Sequence, residues 1–210
     1  FSYSNPNLQQ IPARNKDLGP MIRSLFLPEK NHKWGCFDYS QQEPRLVVHF
    51  AARTEPICFD NSVSDIVDKF NNNDVDFHQT VADMANISRT QAKTINLGLF
   101  YGMGKAKLQA ELGLATKQEA EDLFNQYHNN VPFVRDLMNA TSRHAQNSGS
   151  IGTLLGRRCR FNKWEPNSFG MHKPMDFNEA VQTYTLRHIR RAFTYKALNK
   201  LIQGSAADMT

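Results

Sequence analysis

Apolar residues recur at helical spacing along most of this chain and alternate in the manner of a strand only briefly. Leu46, Val47, Phe50 and Ala51 follow Ser40-Gln41-Gln42-Glu43, whose spacing is that of a capping box. A helix is predicted there, with Pro44 tolerated only in its first turn. Asn61 to Asp76 reads as a short amphipathic turn (Val63, Ile66, Val67, Phe70) followed by an Asn71-Asn72-Asn73 loop, the best place for a mobile boundary. Asp76-Phe77-His78 opens another helix. Ser88-Arg-Thr-Gln91 and Thr116-Lys-Gln-Glu119 are two further capping boxes, the first predicting a helix to about Gly102 and the second one carrying Ala120, Leu123, Phe124 and Tyr127. Pro132 begins a helix ending near Gly149, and Ser150 to Phe161 predicts a hairpin turning around Leu155-Gly156-Arg157. The tail from Asn178 to Thr210 is mostly helical in pattern. Lys33 to Tyr39 reads as a short, largely buried strand, and the opening stretch, with Asn5-Pro6-Asn7, Ile11-Pro12 and Gly19-Pro20, as ordered loop with short extended pieces. The predicted class is α+β with helix dominant.

Composition narrows this picture. The 210 residues are 40% hydrophobic and 21% charged, enough to bury a core and contrary to intrinsic disorder. No apolar run approaches the ~18 residues of a membrane span. The chain opens on Phe1-Ser2-Tyr3 with no charged-then-apolar leader, so secretion is not expected. Cys36, Cys58 and Cys159 stand far apart, which argues against a disulfide scaffold or zinc cluster and fits a reducing compartment. The net charge of +5 is uneven. Residues 1–100 hold 10 Lys/Arg against 11 Asp/Glu, and residues 101–210 hold 15 against 9. Such a field favours a polyanion, nucleic acid before an anionic membrane, although a solvated basic face gives the same count.

Candidate chemistry sits on the helix that follows Ser88. Arg89, Lys93, Leu97 and Tyr101 are spaced i, i+4, i+8 and i+12, so they drift across one face. Two cations near a helix N-terminus add to the positive end of the macrodipole and make a place for phosphate oxygens. An aromatic further along that face could stack on a base or sugar. Asp38, read as a strand-end carboxylate, is where a metal-bridged phosphoryl-transfer site puts an acid, because Mg²⁺ takes few protein carboxylates and fills its shell with water and phosphate. Alone, each feature has a plainer reading: a solvent-facing Arg/Lys pair, and a turn aspartate.

Together they resemble a known family. Asp38-Tyr39-Ser40-Gln41-Gln42-Glu43-Pro44-Arg45 resembles motif A of family A DNA polymerases, the bacterial polymerase I group and its phage relatives. Arg89-Thr-Gln-Ala-Lys93-Thr-Ile-Asn-Leu97-Gly-Leu-Phe-Tyr101-Gly102 resembles their motif B. Asn5-Pro6-Asn7-Leu8-Gln9-Gln10-Ile11-Pro12-Ala13-Arg14, Asp76-Phe77-His78, Thr153-Leu154-Leu155-Gly156-Arg157-Arg158 and Gln203-Gly204-Ser205-Ala206-Ala207-Asp208 match in the same order, across nearly the whole chain.

The resemblance implies a partial palm with an inserted helical fingers subdomain: palm over 1–60, fingers over 61–196, and a palm return helix over 197–210. It implies template-directed transfer of dNTPs to a primer 3′-OH with two Mg²⁺ ions. Asp38 and the backbone carbonyl of Tyr39 would bind metal. Lys93 would hold the α-phosphate and is the candidate proton donor to pyrophosphate, Arg89 would hold the γ-phosphate, and His78 the β-phosphate. Such chemistry needs positioning and charge neutralisation more than covalent steps. Glu43, hydrogen-bonded to Tyr101, would sit under the sugar and exclude a 2′-hydroxyl. Tyr101 would also occupy the template-base position in the open state. Arg14, Asn199 and Gln203 would read the minor-groove side of primer-template DNA, and Arg157 and Arg158 would add phosphate contacts.

Departures from the family pattern carry expectations of their own. Leu97 replaces the usual Phe or Tyr beside the sugar, so strong rejection of dideoxynucleotides is expected. Gln42 and Pro44 replace the usual Ile and Leu, altering the packing behind Asp38. Trp164 to Lys196 is longer than in bacterial polymerase I and resembles phage-type members, favouring replication of a phage genome in the cytoplasm of a bacterial or phage-infected cell. The family's second catalytic Asp, in a His-Asp-Glu motif, is not in this chain, so the expectation is a fragment of a longer reading frame, inactive alone, whose second metal ligand lies outside it. Two alternatives stay open. A single-subunit RNA polymerase relative is opposed by Glu43, and a non-catalytic nucleic-acid-binding relic by the presence of Asp38, His78, Arg89, Lys93 and Tyr101 together.

Overall fold

A computed structural model describes residues 15–72, 76–100, 103, 105–168 and 170–210, with backbone alone for residues 99 and 100. The chain divides into two compact units, Phe1–Ser40 and Gln41–Thr210.

In the first unit, helix α1 (Leu18–Arg23) is the regular element among the described residues. The side chain of Asn15 accepts from the amides of Asp17 (2.9 Å) and Leu18 (2.8 Å), closing two orphan donors of the first turn. Gly19 and Pro20, expected in a loop, lie inside α1, where proline within the first turn is tolerated. Lys33 to Tyr39 forms no strand. Trp34 and Phe37 are 70% and 96% exposed, and a strand exists only where a second strand accepts and donates its ladder hydrogen bonds. Local pattern is insufficient here because a strand is decided by pairing, which no local window contains.

The second unit is built on helices. Helix α2 (Gln42–Ala51) holds Pro44 in its first turn, as required, but its N-cap is Gln41 in the left-handed region (φ 53°) rather than Ser40. A 3₁₀ turn (Ile57–Phe59) leads into α3 (Asn61–Asn71), a full helix where a short turn was expected. Asp60 caps it by accepting from Ser62 N at 2.8 Å, and Val63, Ile66 and Phe70 bury its apolar face. Next come α4 (Phe77–Ala85), α5 (Arg89–Phe100), α6 (Lys105–Leu112), α7 (Lys117–Asn130) and α8 (Pro132–Ser148). Of the two later capping boxes the one at Ser88 forms reciprocally, while in the one at Thr116 the Glu119 carboxylate accepts from Ala115 N (3.1 Å), one residue before the N-cap. Ser88 N donates to Gln91 Oε1 (2.9 Å) and Gln91 N to Ser88 Oγ (3.2 Å), while Glu119 N donates to Thr116 Oγ1 (3.1 Å). Helix α8 ends at Gly149 (φ 76°), where a Cβ would stand 2.7 Å from the Arg191 guanidinium carbon. Only glycine serves both the backbone turn and that close approach.

Strands β1 (Ser150–Gly152) and β2 (Arg158–Arg160) form the expected hairpin, with Gly156 at φ 85° in its turn. Strand β3 (Trp164–Pro166), helix α9 (Phe177–Tyr184), strand β4 (Ile189–Arg191) and helix α10 (Ala197–Met209) complete the chain. Strand β4 breaks the helical reading of the tail. It pairs antiparallel with β3, Trp164 opposite Arg191, and that guanidinium lies 4.5 Å over the Trp164 ring. The core is one cluster in which Val47, Ile66, Phe77, Val81, Ile95, Tyr127, Phe133, Leu137, Leu198 and Ile202 are fully buried. It joins α2, α3, α4, α5, α7, α8 and α10, so the helices around the site are held from behind by apolar packing.

His128 on α7 is buried between Phe124 and Tyr127, and neither ring nitrogen has a hydrogen-bond partner among the described residues. Desolvation first, then Arg135, with Asp136 opposing and Lys105 adding, push its pKa down to about 4. The unfolded chain binds this proton near pH 6.5 and the folded chain only near 4, so stability falls as pH drops across that window and is unaffected above it. We expect His128→Leu to remove up to about 3 kcal/mol of this acid sensitivity, read as urea midpoints at pH 7 and pH 4.5. Parallel pH dependence in wild type and variant would exclude His128 as its source.

Candidate nucleotide-phosphate site

The site begins with one carboxylate. Asp76 is the N-cap of α4: its Oδ1 accepts from His78 N (3.0 Å) and Gln79 N (3.2 Å), closing two of the orphan amides of the first turn. Its Oδ2 takes Arg89 Nε (2.8 Å) and Nη2 (2.7 Å), tying the start of α5 to the start of α4. Burial works to raise the Asp76 pKa. The hydrogen bond from Arg89, the backbone amides and the Arg89 charge outweigh it and hold the carboxyl below its usual range. Arg89 is 51% exposed and Asp76 42%, so the pair contributes less than about 1 kcal/mol and can open to an incoming anion at little cost.

Two more donors stand on the same side. Lys93, one turn beyond Arg89, is half-buried and makes no ion pair among the described residues. His78 lies in the first turn of α4, half-buried. Desolvation lowers its pKa, Asp76 opposes, and Arg89 and Lys93 both add to the lowering, so the ring is neutral near pH 7. Asp76 ties the first turn of α4, which carries His78, to Arg89, and Lys93 follows one turn further along α5. A helix N-terminus, two cations and a neutral imidazole, with one exposed carboxylate among them, are the kinds of group that a candidate phosphate site needs.

Three residues that sequence reasoning passed over hold this arrangement. The Gln41 side chain accepts from Phe77 N at 2.7 Å, so the residue that starts α2 also satisfies the first amide of α4. Asn96, fully buried on α5, contacts His78 Nδ1 through Nδ2 at 3.1 Å and receives the Tyr127 hydroxyl of α7 on Oδ1 at 2.5 Å. Asn96 had a visible signal, since it lies on motif B three residues after Lys93, where a polar residue on a buried face needs partners.

The other expected site residues are distributed more widely. Asp38 and Tyr39 are exposed in the first unit, Glu43 is half-buried in the first turn of α2, and Leu97 is half-buried one turn beyond Lys93. Arg14 and Tyr101 lie outside the described residues. Asn199 and Gln203 stand one turn apart on α10, half-buried and exposed. Arg158 is exposed on β2. Arg157 is engaged within the chain: its Nη2 donates to Gly204 O (2.7 Å) and pairs with Asp208 Oδ1 (2.8 Å). Leu154 N donates to Ser205 Oγ and Leu155 N to Asp208 Oδ2, so the β1–β2 turn is fastened along α10.

A helix-dominant unit that gathers two cations and an imidazole at the start of paired helices has groups suited to an anionic ligand. The family model for DNA polymerase family A matches residues 1–210, and the chain belongs to that family. It is 35% identical over 247 residues to a DNA-directed DNA polymerase of Pseudomonas phage M6, covering all of this chain and 34% of that protein. It is 33% identical over 215 residues to DNA polymerase I of Caldicellulosiruptor bescii, covering 98% of this chain and 22% of that protein. The polymerase domain of Pol1 from M. smegmatis, solved in complex with DNA primer-template and dNTP, superposes with a TM-score of 0.68 at 27% identity, over 99% of this chain and 33% of that one. The chain thus spans about a third or less of these relatives. The phage match agrees with the phage-type character read from the sequence.

Proposed function

We propose that this chain supplies the fingers and part of the palm of a template-directed DNA polymerase, in which it binds the incoming dNTP and primer-template DNA. The supporting observation is the grouping of His78, Arg89 and Lys93 against one exchangeable carboxylate at the start of α4 and α5. In this reading Arg89 leaves Asp76 for the γ-phosphate, His78 donates to the β-phosphate, and Lys93 holds the α-phosphate and gives up a proton as pyrophosphate departs. Each step neutralises charge that moves onto phosphate oxygens during transfer. Glu43 limits the space beside the sugar 2′ position. Asn199 and Gln203 face the duplex from α10, with Arg14, Arg157 and Arg158 as further DNA contacts. Residues 1–60 and 197–210 act as palm and 61–196 as fingers. The setting is the cytoplasm of a bacterial or phage-infected cell, and no described helix is long and apolar enough to cross a membrane.

The metal contribution of this chain is partial. No group of three or more His, Cys, Asp or Glu among the described residues could hold a metal ion. A magnesium shell made chiefly of water and phosphate needs only one or two carboxylates, and the exposed Asp38 with the Tyr39 carbonyl fits part of such a shell. Bound there, Mg²⁺ would neutralise phosphate charge.

The test is a ternary complex. With the polymerase that carries this chain on a dideoxy-terminated primer-template, the complementary dNTP should hold the complex against high-salt challenge. Arg89→Ala should weaken that dNTP dependence roughly tenfold. Duplex binding that ignores the complementary nucleotide would favour the non-catalytic module, because salt-sensitive DNA binding is common to both readings.

A further inference from the structure

Tyr127 has one hydroxyl proton, is fully buried, and has Asn96 Oδ1 as its acceptor among the described residues, at 2.5 Å. A buried hydroxyl left without an acceptor is destabilising, so the Asn96 amide is oriented with oxygen toward Tyr127 and nitrogen toward His78. The Asn96 nitrogen is a donor only. His78 Nδ1, 3.1 Å away, must therefore accept, and an imidazole that accepts at Nδ1 carries its proton at Nε2.

From this geometry we infer that Tyr127, through Asn96, fixes the tautomer of His78 so that Nε2–H points outward as a phosphate donor. Tyr127 and Asn96 are positioning residues drawn from α7 and α5, acting on a group in the first turn of α4. The inference rests on the phosphate-binding reading of His78 for its functional consequence, though not for the tautomer itself. The charged groups around the ring are Asp76 on its own helix and Arg89 and Lys93 on α5, while α7 presents the uncharged Tyr127. The two cations and the desolvated setting keep the ring neutral, so the tautomer, rather than full protonation, decides which nitrogen donates.

The experiment uses the full-length polymerase carrying this chain, labelled with ring-¹⁵N histidine. The His78 signals are assigned by difference against His78→Gln. Near neutral pH the wild type should show protonated Nε2 and bare Nδ1. Tyr127→Phe, which removes the donor that orients the amide, should give a mixture of tautomers and raise the dNTP KM roughly two- to tenfold with kcat nearly unchanged. Asn96→Asp gives a second reading, since a carboxylate draws the proton to Nδ1. A protonated Nδ1 in the wild type overturns the inference, as does a Tyr127→Phe spectrum identical to wild type. Tautomers that follow the scheme while His78→Gln leaves the dNTP KM unchanged would uphold the relay and remove His78 from the phosphate site.

Discussion

Lys93→Ala in the polymerase that carries this chain will slow primer extension roughly a hundred- to a thousandfold and leave duplex affinity within about twofold. Lys93 is half-buried, one helical turn from Arg89, and has no ion-pair partner among the described residues. In the proposed reading, its removal takes away both a phosphate contact and a proton source. Arg89 is different, because it is already satisfied by Asp76 and its loss should register mainly in nucleotide affinity. Asp38→Ala is expected to act in the same direction as Lys93→Ala. Single-nucleotide incorporation rates, measured beside equilibrium binding of a labelled primer-template, separate chemistry from duplex binding. Incorporation by Lys93→Ala within tenfold of wild type would sink its assignment to the α-phosphate.

Phe77→Ala should be the most destabilising single change near the site, by about 3–5 kcal/mol in denaturant unfolding. Phe77 is fully buried and stacks on Phe70 at 6.2 Å between ring centres, so truncation leaves a cavity between α3 and α4. Its backbone amide is the one held by Gln41, and His78 is the next residue, so the loss also loosens the turn that aims the imidazole. Phe59→Ala is the control. That ring is 74% exposed, and its removal should change stability by no more than about 0.5 kcal/mol. Equal losses from both variants would mean that aromatic area alone, not the packing of Phe77, sets the cost.

Much of the second unit was legible from local chemistry. The capping boxes at Ser88 and Thr116, the Pro132 start and Gly149 stop of α8, and the hairpin around Gly156 are decided within a few residues. Features that depend on distant partners were not. Strand β4 exists because Trp164 lies opposite Arg191, a pairing that no local window contains. The asparagine-rich surroundings of α3 suggested a turn, but burial of Val63, Ile66 and Phe70 favours a helix over that local tendency. At the site, the Arg89/Lys93 spacing and the Asp76-Phe77-His78 motif were visible in the chain. The second duty of Asp76, capping one helix while holding a cation on the next, was not, because it requires knowing that α4 and α5 lie side by side.

If the site binds phosphate as proposed, the Asp76–Arg89 pair also acts as a filter on what it retains. A monovalent anion has to displace the carboxylate with a single contact and gains little over what it replaces. A chain of linked phosphates that already touches His78 and Lys93 competes from close range, at the high effective concentration of a chelate. In that reading the exposed ion pair would raise the threshold for small free anions more than for a triphosphate, so discrimination by ligand valency would follow from a contact that contributes little to folding.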